Sequence, residues 1–81
     1  MVEKAHALVN VRDINLVCQH YKTYAQIEGR SRRRKITRAR RRNGVLEVRT
    51  AASDEWVEPV AWIEWINNRG VLVRYMAQDI R

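Results

Sequence analysis

The chain has 81 residues, 46% of them hydrophobic, and carries a net charge of +7. That length holds one small domain with a modest core, and the apolar content excludes wholesale disorder. The single cysteine excludes an internal disulfide, no Cys/His set suits a structural zinc, and no apolar run is long enough to cross a bilayer.

The charge is unevenly placed. Ten of the sixteen Lys/Arg lie between residues 30 and 50 against one acid, Glu47, so a near-neutral scaffold carries one concentrated cationic element. Such asymmetry points to a polyanionic partner, nucleic acid first among them.

Taken in order, residues 1–12 show no clear period, and 1–10 read as a loose end. From Asp13 the pattern is helical: Ile14, Val17, Cys18 and Tyr21 follow at steps of three and four. Asp13 is the expected N-cap and Gly29 the stop, giving a helix over 13–28, with a strand within Leu16–Ile27 as the competing reading.

Residues 30–50 form the organising element. Asn43-Gly44 between two alternating runs signals a type I′ hairpin, whose central residues both need positive φ. Pairing across it sets Arg42 against Val45, Arg41 against Leu46, Arg40 against Glu47, Ala39 against Val48, Arg38 against Arg49 and Thr37 against Thr50. One face then carries Thr37, Ala39, Leu46, Val48 and Thr50, fit for a core; the other carries Arg38, Arg40, Arg42, Glu47 and Arg49. Arg41 falls on the apolar side, near the turn, where it can reach round to water. Arg30 to Lys35 reads either as a continuation of the strand or as a basic arm.

Beyond the hairpin, Ala51–Glu58 reads as a loop with three acids. Residues 59–67 suit a short helix with Pro59 at its first position, ended by Asn67-Asn68-Arg69-Gly70. The same residues also read as a strand, Trp62–Ile66, turning into a further strand, Val71–Tyr75. Residues 77–81 read as a tail. With Phe absent, Trp56, Trp62, Trp65, Tyr21, Tyr24 and Tyr75 are the large aromatics, which could stack on exposed bases of a single strand or fill the core. Trp62 and Trp65 are assigned to the core, and Trp56 is balanced between core and surface.

The stretches Arg42-Asn-Gly-Val-Leu-Glu-Val48 and Gly70-Val-Leu-Val-Arg-Tyr-Met-Ala-Gln-Asp-Ile-Arg81 loosely resemble the small C-terminal barrel of Mu-type transposases, which a Val-Arg-Tyr-Asp-Pro-x-Asp-like strand and turn closes. Met76-Ala77 stand here in place of Asp-Pro. The resemblance implies an SH3-like β-barrel as an alternative architecture. The residues themselves favour a small α+β domain over 1–81: an N-terminal helix, a central antiparallel hairpin and a third strand.

Eight of the nine bases in 30–42 are arginine, whose planar fork suits phosphate or guanine better than a merely solubilising surface requires. The nucleic-acid contacts expected are Arg32, Arg33, Arg34, Lys35, Arg38, Arg40, Arg42 and Arg49, with DNA ahead of RNA and no cofactor. The bland counterpart is a solvated edge that blocks aggregation. Cys18 and His20, two apart, point in different directions on a helix and find no third ligand. Asp54, Glu55 and Glu58 lack a His or a glycine-rich loop beside them, so no catalytic set emerges.

The expected function is non-catalytic nucleic-acid binding in the cytoplasm (nucleoid-associated, or nuclear in a eukaryote), in the style of a phage or mobile-element regulator. The runner-up is a small basic module docking on an acidic or DNA-binding surface of a larger protein machine.

Overall fold

A computed structural model describes residues 9–27, 33–59 and 61–81. The helix α1 spans Val11–His20, shorter and earlier than its expected 13–28. Its N-cap is Asn10, whose Oδ1 accepts the Asp13 amide at 2.9 Å while Asp13 Oδ2 accepts the Asn10 amide at 3.1 Å. Asp13 is therefore the reciprocal partner of a capping box, one turn inside the helix, rather than its cap. The helix stops at Tyr21, which is already extended; Thr23 and Ala25 then point inward from a strand, and Ile27 is buried just past its end. β-Branched and aromatic residues here follow the period of two, so the competing strand reading prevails over this stretch. The expected stop at Gly29 lies outside the described residues.

Six strands follow: β1 (Thr23–Gln26), β2 (Arg33–Arg42), β3 (Val45–Thr50), β4 (Trp56–Val57), β5 (Trp62–Ile66) and β6 (Leu72–Met76). They form one antiparallel sheet in the order β4-β3-β2-β1-β5-β6. The result is a small, compact single domain with more sheet than helix, so the α+β expectation holds only in outline. Among the described residues no ladder joins the edges β4 and β6, and the sheet is open where the transposase likeness implied a closed barrel.

The expected helix at 59–67 is overturned: Trp62–Ile66 is a strand. Asn67 decides this by building a turn. Its Oδ1 accepts the amides of Arg69 at 2.8 Å and Val71 at 3.0 Å, and Gly70 supplies a φ of 77°. Pro59 is buried ahead of the strand instead of opening a helix.

The core lies between α1 and one sheet face: Ile14, Ala25, Ile36, Ala39, Val48, Ile63 and Ile80 are all at most 3% exposed. Ile80 belongs to the supposed tail. Residues 77–81 are instead tied down, with a 3-10 turn at Ala77–Asp79, the Arg81 amide donating to Val9 O at 2.8 Å and the Val11 amide donating to Arg81 O at 2.7 Å. Arg41 also serves this end, donating to the carbonyls of Gly44 and Ile80.

Candidate nucleic-acid interface

The hairpin turn is as the sequence predicts, with φ of 54° at Asn43 and 79° at Gly44. Five of the six expected cross-strand pairs, from Arg42–Val45 back to Arg38–Arg49, are present. The sixth is not. Ile36, rather than Thr37, stands opposite Thr50, because Thr37 is the extra residue of a β-bulge and is exposed.

This bulge organises the site. In a regular strand Arg33 and Lys35 would share a face with Thr37, Ala39 and Arg41. The extra residue shifts the phase, so Ile36 and Ala39 both enter the core. Arg33, Lys35, Arg38, Arg40 and Arg42 consequently all emerge on the opposite, outer face. Neighbouring strands add Glu47 and Arg49 from β3, Trp56 from β4, Tyr24 from β1, Trp62 and Glu64 from β5, and Arg74 from β6, as their registers with β2 and with one another require.

The cations on this face fall into two groups. Some are engaged within the molecule. Arg33 and Arg74 both bind Glu64, at 3.1 and 2.6 Å, a carboxylate whose side chain is only 6% exposed. Arg40 binds Glu47 at 2.7 Å. Guanidinium carbons also lie over aromatic rings: Arg33 over Tyr24 at 4.1 Å, Arg40 and Arg49 over Trp56 at 4.2 and 4.7 Å, and Arg74 over Trp62 at 4.6 Å. The Arg49 Nε is buried and has no hydrogen-bond partner among the described residues.

Lys35, Arg38 and Arg42 form the second group. They are exposed and enter no ion pair or ring contact among the described residues. Arg38 stands directly opposite Arg49 in the ladder, a like-charge pairing that costs stability.

Of the eight residues singled out from sequence, six (Arg33, Lys35, Arg38, Arg40, Arg42 and Arg49) are brought together. Arg34 pairs with Ala25 and so turns toward the other face, although it remains exposed. Arg32 lies outside the described residues. Arg33 to Lys35 belong to β2, so for these three the strand continuation replaces the arm.

Sequence reasoning singled out neither Glu64 nor Arg74; it gave Tyr24 only as a candidate base-stacking residue on a helix, and it misplaced Trp62. Once 62–66 is a strand, Trp62 and Trp65 are an odd number apart and must face opposite ways. Trp65 is 8% exposed and stacks on Tyr75 at 5.8 Å, while Trp62 is half-buried on the outer face.

Burial pushes the Cys18 thiol pKa up, a hydrogen bond with Thr23 pulls it back in part, and His20 is exposed. Among the described residues no group of His, Cys, Asp and Glu could hold a metal, and no helix is long and apolar enough to cross a membrane.

No protein-family model, curated protein or solved structure matches the chain. The likeness to Mu-type transposases therefore rests on the quoted strand residues alone.

Proposed function

We propose that this chain is a non-catalytic nucleic-acid-binding domain whose outer sheet face contacts the phosphate backbone, with DNA ahead of RNA. The observation that carries the reading is Arg38 directly opposite Arg49, flanked along the same strand by Lys35 and Arg42, which have no ion-pair partner among the described residues. Folding alone does not favour this arrangement, since like charges opposed across a ladder are destabilising. A polyanion laid on the face would relieve the repulsion and release its own condensed counterions. Neighbouring Arg40, Arg33 and Arg74 have carboxylate partners, so the scaffold neutralises charge where structure needs it and leaves it uncompensated here.

The test is anisotropy of labelled 20-mer DNA and RNA over a salt series. The wild-type chain is compared with a Lys35→Ser, Arg38→Ser, Arg42→Ser variant, which leaves every ion pair and ring contact described above in place. The expected result is salt-sensitive binding whose log–log slope falls in the variant by about 2 to 3, roughly 0.7 to 0.9 per lost phosphate contact. Absence of binding at low salt, or an unchanged slope, overturns the reading and brings forward an acidic protein surface as partner.

A further inference from the structure

A two-stranded ribbon standing alone would fit the DNA major groove. The structure embeds that ribbon in a wider surface. β1 flanks β2 along Arg33–Ile36, and β4 flanks β3 at Val48 and Arg49. Six strands at about 4.8 Å spacing make a face roughly 24 Å across, twice the width of the major groove, about 12 Å. Only the hairpin tip, Arg40 to Glu47, is two strands wide; the flanked part of the face, which carries Arg33, Lys35, Arg49 and the aromatic residues, is too broad to enter a duplex groove. It can carry a strand laid over it.

The same face holds three aromatic rings on three strands, Trp56 on β4, Tyr24 on β1 and Trp62 on β5, all half-buried. Each is covered by at least one guanidinium within 4.7 Å. A small domain without Phe, short of large apolar side chains, keeps these rings out of its core. Trp65, close by in sequence, goes inward, so outward placement is not imposed by a full interior.

Resting on the nucleic-acid reading above, we infer that the ligand is a single strand with unpaired bases, and that Tyr24, Trp56 and Trp62 are its stacking sites. The rings provide π-faces that accept any base, and the neighbouring arginines provide cations for the phosphates between them. In the free domain the guanidinia occupy the ring faces. On binding, a base replaces the guanidinium over the ring, and the displaced arginine turns to the adjoining phosphate. A base inside a duplex offers no free π-face, so paired nucleic acid would use only the charge component of this surface.

The experiment compares 20-mer oligo(dT), oligo(rU) and a mixed-sequence DNA duplex of equal length, by anisotropy and by intrinsic tryptophan fluorescence. Wild type is set against Trp56→Leu and Trp62→Leu, with circular dichroism confirming that each is folded. The single strands should bind at least tenfold more tightly than the duplex and quench the tryptophan emission. Each substitution should weaken single-strand binding by about tenfold, with the salt slope and duplex binding little changed. The wild-type quenching and strand preference keep the test decisive if a variant does not fold. Duplex binding as tight as single-strand binding, with no quenching, overturns this inference and leaves the phosphate-binding reading standing. Failure to bind all three polymers at low salt overturns both. Tighter binding of oligo(rU) than oligo(dT) retains the single-strand inference and reverses only the order of DNA and RNA.

Discussion

Asn15 on α1 grips the backbone of Ala39 on β2 from both sides: its Nδ2 donates to the Ala39 carbonyl at 3.0 Å, and its Oδ1 accepts the Ala39 amide at 2.8 Å. β1 pairs with β2 only as far as Ile36, so beyond that point no strand among the described residues lies beside that edge of β2. One amide side chain completes the hydrogen bonding there and locks the helix over the arginine-bearing strand. Asn15→Ala leaves a part-buried N–H and C=O unsatisfied and should cost about 2 to 3 kcal/mol, read from urea unfolding. Asn15→Asp retains only the acceptor and should recover part of that loss. A cost below about 0.5 kcal/mol for Asn15→Ala would mean that water replaces the side chain freely.

The bulge at Thr37 sets which arginines face outward. Deleting Thr37 yields a regular strand with Ile36 and Ala39 still inward, so the chain should fold with a loss of about 1 kcal/mol and bind with an unchanged salt slope. Deleting Ala39 instead turns Arg40 and Arg42 toward α1 and should abolish the cooperative thermal transition. Equal damage from the two deletions would show that the phase shift is not what positions the face.

The hairpin was legible because Asn-Gly fixes a turn, and the turn fixes the register of everything near it. Legibility ended at Thr37, where alternation alone carried the pairing and could not register an extra residue. The ends of α1 and the identity of 59–67 were misread for a shared reason: short runs of Val, Ile, Tyr and Trp satisfy both periods, and the choice is made by tertiary pairing. Asn67 held the missing signal for the second hairpin, through an Asx-type turn closed by Gly70. The charged half of the site was visible as composition. Its aromatic half was legible only as an alternative to core packing, because the sequence pattern puts Tyr24 on a helix and Trp62 in the core. Glu64 drew no attention as a lone acid, since its role depends on β1 and β6 lying on either side of β5.

Glu64 separates stability from binding. Its buried carboxylate holds Arg33 and Arg74, both about half exposed, so neither cation is stranded in the interior when the acid is removed. Glu64→Gln should lower stability by about 1 to 2 kcal/mol by weakening two ion pairs. It should also strengthen nucleic-acid binding at low salt, because two guanidinia become available to phosphate. Loss of binding together with stability would show that Glu64 acts by positioning those arginines.

The Cys18 thiol has its pKa raised chiefly by burial, against which the Thr23 hydrogen bond acts. At pH 8 its reaction with a thiol-specific disulfide reagent should be at least about tenfold slower in the folded chain than in denaturant. Since the folded thiol keeps its proton above the ordinary value of about 8.5, stability should begin to fall as pH rises past that point and level off beyond the folded value. Equal reactivity folded and unfolded would place Cys18 in open solvent.

The central claim is that the outer sheet face is the nucleic-acid surface, and titration of the isotope-labelled domain with an oligonucleotide, followed by amide and side-chain NMR, tests it most directly. The account predicts shifts clustered at Lys35, Arg38, Arg40, Arg42 and Arg49 and at the indole N–H groups of Trp56 and Trp62. The indole of Trp65 and the exposed side of α1, at Arg12 and Gln19, should stay in place. Shifts centred on α1, with the outer-face arginines unmoved, would contradict it.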